Sequence, residues 1–121
     1  MTREEFNVFC GSMIATNHVV QWGNSDVWKV GPKLFAVGGW HENRDAFTFK
    51  VGPIAFDVLP EIPGIRPAPY LASRGMKWVQ VYGEPGLSDA DLRDHLTLSY
   101  NMVAAGISKK KRAEMGIVLP Q

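Results

Sequence analysis

The side chains in this sequence best equipped for chemistry are cationic. Lys109, Lys110, Lys111 and Arg112 stand in succession near the carboxyl end, and Arg66, Arg74 and Lys77 fall in a stretch from Ile62 to Gly83 that holds no acidic residue. Groups of this kind neutralise phosphates, and an aromatic neighbour such as Trp78 adds a face on which a base can stack. If the two stretches meet on the folded surface they form one anion-attracting patch. The competing reading of the run at 109–112 is a solvated helix end, the usual fate of short charge runs.

Other reactive residue types are present without the company that chemistry requires. His18, His41 and His95 are far apart and show no H-x-x-x-H or C-x-x-C spacing, so no zinc site is expected. His41 beside Glu42 reads as a solvated loop pair, and Asp91 with His95 as a surface contact one helical turn apart. Cys10 lies within an apolar helical stripe and is expected to be a buried, inert thiol. Gly38 and Gly39 build neither G-x-G-x-x-G nor a P-loop, and G-x-S-x-G does not occur. Trp28, Trp40 and Tyr82 read as packing residues, with Trp78 the exception that alternation places beside Arg74 and Lys77. No catalytic residue, metal or cofactor is expected.

The elements that must position these groups follow from pattern. Thr2 with Glu5 forms a capping box, and Phe6, Phe9, Cys10, Met13 and Ile14 continue from it as one helical stripe. After a loop around Asn17 and His18 the pattern turns to strands: 26–30 and 33–37 flank a Gly31-Pro32 turn, and 46–51 alternates, with Thr48 and Lys50 on a partly wet face. Pro53 opens a helix of two turns at most. Prolines at 60, 63, 67 and 69 then hold an ordered extended loop. The stretch 77–82 is a strand with Lys77, Val79 and Val81 on one face and Trp78, Gln80 and Tyr82 on the other. Ser88 caps a second long helix that ends near Gly106, and Ser108 caps a short turn carrying the basic run. The order predicts an α+β fold: an antiparallel or mixed sheet with two long helices packed on one face.

With 121 residues, 45% hydrophobic and 21% charged, the chain is expected to be a single domain over 1–121 with its own core. Thirteen basic against twelve acidic side chains give a net charge of +1, so any electrostatic partner must be drawn by local patches. No apolar run approaches the roughly 20 residues of a membrane span. Glu4 and Glu5 stand where a secretory signal needs basic residues, and the lone Cys10 needs no oxidising compartment, so a cytoplasmic location is expected.

The run from Asp26 to Val37 (DVWKVGPKLFAV), the strand Phe47 to Lys50, and Pro63 to Leu71 (PGIRPAPYL) followed by Lys77-Trp78-Val79 resemble the MmcQ/YjbR family. Ser99 and Tyr100 leading to the basic run extend the resemblance, which spans about Phe6 to Arg112. It implies a frataxin/CyaY-like two-layer fold and a DNA-binding protein of the bacterial cytoplasm, with no catalytic residue. The apolar Ile54, Phe56 and Leu59 depart from the family's more polar helix start. An iron role, as in frataxin-like proteins, needs an acidic ridge on the first helix, and only Glu4 and Glu5 are there.

The leading expectation is therefore a non-enzymatic DNA-binding module. Its backbone contacts come from Lys109, Lys110, Lys111 and Arg112, helped by Arg74, Lys77 and Trp78; about four phosphate contacts give a log–log salt slope of magnitude near 3 to 4. The alternative is a module binding a protein or small ligand in a groove between the sheet and the proline-rich loop, near Tyr70 and Trp78.

Overall fold

The computed structural model describes residues 1–40 and 43–120, with the backbone alone at 43 and 44. At the amino end Thr2 Oγ1 accepts from the Glu5 amide at 3.1 Å, while Glu5 Oε1 accepts from the Thr2 amide at 2.9 Å. This closes the expected capping box over α1 (Arg3–Gly11). The apolar spacing predicts a helix reaching Ile14, yet α1 stops after nine residues and is not long. Gly11 lies against the Trp28 ring, Ser12 Oγ donates to the Phe9 carbonyl, and Ala15 at φ 61° turns the chain into the first strand.

Strands β1 (Thr16–Gln21), β2 (Ser25–Val30), β3 (Lys33–Trp40) and β4 (Asn43–Lys50) form an antiparallel meander. β6 (Trp78–Val81) adds to β4, and β5 (Ile65–Pro67) closes the far edge, giving the order β1-β2-β3-β4-β6-β5 with every pairing antiparallel. Asn17 and His18, read from sequence as loop, belong to β1, a mostly exposed edge strand with no apolar alternation to announce it. Pro67 ends β5, where an edge strand tolerates the missing N–H.

One face of the sheet is completed by helices. Phe6 and Cys10 of α1 join Leu92, Leu96, Tyr100 and Val103 of α3 (Asp89–Ala104) in a single buried cluster with Trp28, Phe49, Val79 and Val81. Gly38 makes room for α1, since a Cβ there would stand 2.7 Å from the Phe6 ring. Between Trp28 and Lys29 the β2/β3 register shifts, and Phe35 and Ala36 are both fully buried in this cluster. Ser99 of α3 locks that irregularity. Its hydroxyl donates to the Phe35 carbonyl at 2.7 Å and accepts from the Lys50 amide at 3.0 Å.

The other face is not wet at Thr48, which is 4% exposed. After α2 (Pro53–Val58) and a 3-10 turn at Leu59–Glu61, the proline-rich segment passes through β5 and lays Pro69, Tyr70, Leu71 and Arg74 over this side. The chain ends with α4 (Lys109–Met115), capped by Ser108 and stopped by Gly116 at φ 76°. The molecule is thus α+β, with a six-stranded antiparallel sheet, four α-helices among the described residues and one long helix, α3.

Ser99→Ala strips the partner from one buried and one partly buried backbone group and is expected to cost roughly 1–3 kcal/mol. Urea unfolding at an unchanged m value measures it, and a loss under about 0.5 kcal/mol would mean that the two groups find other partners.

Candidate ligand cleft

Alternation along β4 and β6 sends Thr48 and Gln80 to the side away from the helices, and the register sets them opposite each other. Gln80 has no exposed surface, so its amide must be satisfied inside. Arg66, paired with Gln80 from β5, donates to Oε1 through Nε at 2.9 Å and Nη2 at 2.7 Å. A guanidinium only donates, which fixes Oε1 toward Arg66 and the amide nitrogen toward Thr48. Gln80 Nε2 then donates to Thr48 Oγ1 at 3.0 Å. The Arg66 guanidinium also lies 4.4 Å from the Tyr82 ring centroid, which anchors its outer end.

Above this polar row opens a cavity of about 460 Å³. Val37, Thr48 and Gln80 form its sheet side. Pro69, Tyr70, Leu71 and Arg74 come from the proline-rich segment, and Trp22 and Trp40 complete the walls. Tyr70 reaches Trp40 at the end of β3, with ring centroids 5.7 Å apart. The cleft is concave and mainly apolar, and no carboxylate is among its described lining residues.

The cationic residues picked out in the sequence occupy separate places. Arg74 lines the cleft. Lys77 lies over the Phe56 ring, 5.1 Å from its centroid, and Phe56 packs against the helix-side core. Lys109, Lys110 and Lys111 are exposed on α4, which is flanked by Ile107 and Ile117 of that same core, so the sheet stands between them and Arg74. Arg112 turns inward, its Nη1 donating to the carbonyls of Ala105 at 3.1 Å and Ile107 at 3.0 Å. The Trp78 indole is enclosed, at 3% exposure. Of the two residues that mark the groove in the sequence, Tyr70 lines the cleft and Trp78 does not. Arg74, read there as part of the basic patch, also lines it, and Trp22, Trp40, Thr48 and Gln80 escaped sequence reasoning as cleft residues. The available signal was a glutamine set between valines on a strand.

Burial pushes the Cys10 thiol far above its ordinary pKa, so the sulfur stays protonated. His95 is stacked on Phe49, and burial holds its pKa below the ordinary imidazole value against the pull of Asp91 and Asp94. His41 and Glu42 lie outside the described residues. Among the described residues no group of three or more His, Cys, Asp or Glu is placed to hold a metal, and no helix is long and apolar enough to cross a membrane.

The YjbR family model matches residues 12–102. The crystal structure of a Deinococcus radiodurans protein, DR2400, with the domain DUF419, superposes with a TM-score of 0.83 at 22% identity, covering 97% of this chain and 89% of that one. A protein from Pseudomonas syringae superposes with a TM-score of 0.66 at 19% identity, covering 85% of this chain and 99% of that one. At these identities the two structures share the fold. No curated protein matches the chain.

Away from the cleft, a second polar cluster ties α1 to the sheet. Asp26 Oδ2 accepts from Arg3 Nε at 2.7 Å and Asn7 Nδ2 at 3.1 Å, while Oδ1 accepts from His18 Nε2 at 2.7 Å. Asn7 Oδ1 in turn accepts from the Trp28 indole at 2.9 Å, and the His18 ring lies on Trp28. Burial raises the Asp26 pKa, but the hydrogen bonds from Asn7, His18 and Arg3, with the Arg3 charge, together hold it below the ordinary carboxylate value. A depressed folded-state pKa contributes stability that is present above the unfolded value and lost as pH falls through the folded one. The stability advantage of wild type over Asp26→Asn is therefore expected to be constant near neutrality and to shrink below about pH 4, in denaturant titrations across that range. A gap that does not narrow in acid would mean the carboxylate is not held in its charged form by these partners.

Proposed function

As the chain belongs to the YjbR family, we propose that it works as a non-catalytic binding module whose ligand is a small molecule taken into the cleft between the sheet and the proline-rich segment. The observation that carries this reading is the cleft itself: three aromatic side chains and two aliphatic ones surround a floor of fixed polarity. Its walls come from β3, β4 and β6 of a rigid sheet and from a segment stiffened by prolines. Such a site is pre-formed, and ordering it on binding costs little.

A nucleic-acid role is the second reading, favoured by the three consecutive exposed lysines of α4. It draws on a different surface, since Arg112 is engaged with the end of α3 and Trp78 is enclosed.

One titration set separates the two readings. The neutral solvatochromic dye Nile red is expected to bind saturably to wild type and at least about tenfold more weakly to Leu71→Arg, which fills the cleft from its half-exposed rim. Tyr70→Ala serves as a milder second variant. Dye binding that ignores both variants removes the cleft from the function. Duplex DNA is the other arm: saturable binding with a log–log salt slope near −3, abolished when Lys109, Lys110 and Lys111 are all alanine, would put the nucleic-acid reading first.

A further inference from the structure

We infer, on the footing of the cleft reading above, that the ligand is a small organic anion: a carboxylic acid with an aromatic or branched apolar body. Its carboxylate faces Arg74 and the Thr48 hydroxyl, and its body lies against Trp22, Trp40 and Tyr70.

Among the described lining residues the charged and amide groups of the cleft have only N–H protons left to offer. Thr48 Oγ1 already accepts from Gln80, so the threonine still offers its O–H and one remaining lone pair. Gln80 Oε1 is taken up by Arg66, leaving the amide with one spare proton. Neither proton has an acceptor among the described residues, and Thr48 is only 4% exposed. The Arg74 guanidinium at the rim likewise takes part in no hydrogen bond or ion pair among the described residues. These groups all donate. A neutral hydrocarbon in the cleft would bury such donors with nothing to receive them, whereas a carboxylate supplies acceptors to Arg74 and Thr48 together. A cation is opposed by Arg74, and the described lining residues include no acidic side chain to receive one. Among the described lining residues Arg74 supplies the one guanidinium, which matches a single negative charge better than a phosphate dianion.

The backbone gives an independent reason to regard the aromatic walls as binding surface. Trp22 at φ 53° and Tyr70 at φ 67° are held in the left-handed region, which bulky residues rarely adopt. Neither ring serves the core, for Trp22 is 59% and Tyr70 69% exposed. Strain that holds exposed aromatic residues at the mouth of a cleft is the kind found where ligands are clamped.

The test uses the full-length chain, labelled with nitrogen-15 and titrated with 3-phenylpropionate and 4-methylpentanoate, each beside its own primary amide. The acids are expected to bind at least about tenfold more tightly than the amides, shifting the indole N–H signals of Trp22 and Trp40 and the backbone signal of Thr48. Arg74→Gln, at an exposed position, should bring acid affinity down to that of the amide and leave the amide unchanged. Thr48→Val should weaken the acid by about threefold or more, with the thermal midpoint confirming that the variant folds. Equal affinity for acid and amide, or acid binding indifferent to Arg74→Gln, overturns the anion assignment while the cleft stands as the binding site. An absence of shifts with every probe at millimolar concentration overturns the cleft reading with it.

Discussion

A carboxamide with no exposed surface sits on β6, one strand in from the sheet edge, and much of the local architecture exists to satisfy it. Gln80 on β6 can be buried only if a donor meets its oxygen and an acceptor meets its nitrogen. Thr48 supplies the acceptor from β4, which fixes the β4/β6 register. Arg66 supplies the donors, which requires a further strand on the outer side of β6. That strand is three residues long and is brought in by Gly64. At φ 90° a side chain on Gly64 would collide with the Gly83 carbonyl, and the Gly64 carbonyl accepts the Tyr82 amide at 2.8 Å. The local sequence Pro63-Gly64-Ile65-Arg66 thus delivers one guanidinium to one amide.

The two faces of the sheet are covered by different kinds of structure, with different consequences. α1 and α3 interlock with the strands and leave a dry core, as helices do when apolar stripes meet an apolar sheet face. The other face receives an irregular segment, whose amides are met within itself and at the sheet edge. Ala68 N–H donates to the Trp78 carbonyl, and Ala72, Arg74 and Met76 bond back to Ala68 and Leu71. A segment of this kind holds its shape without filling the space beneath it, which is why an apolar cleft opens on this face.

Local chemistry made part of this structure legible in advance. The caps at Thr2 and Ser88, the Gly31-Pro32 turn and the alternations at 47–51 and 77–82 depend on residues within a few positions of one another, and sequence shows these directly. β1 was hidden because an exposed edge strand has no buried face to impose alternation. The length of α1 was overestimated because Met13 keeps the helical period while packing against the core from a turn. The cleft floor was unreadable for another reason: Thr48 meets Gln80, and Asp26 meets Arg3 and His18, through strand registers and helix docking that no local pattern encodes. Arg112 shows the same limit, since only the fold reveals that a member of a basic run is occupied with the carbonyls ending α3.

Charge alone therefore does not rank the candidate surfaces; environment does. Three lysines on α4 face bulk water, where salt screens each of them over a distance of about 8 Å and where hydration competes for every contact. Arg74 stands at the edge of an apolar enclosure, so a ligand that fills the enclosure excludes water from the ion pair it forms and lowers the local dielectric. The same unit charge is worth more there, and the neighbouring donors of Thr48 and Gln80 are already oriented by Arg66 before any ligand arrives. One cation backed by a preorganised floor is a more selective device than three exposed in sequence, because it discriminates among anions by the shape of what they are attached to.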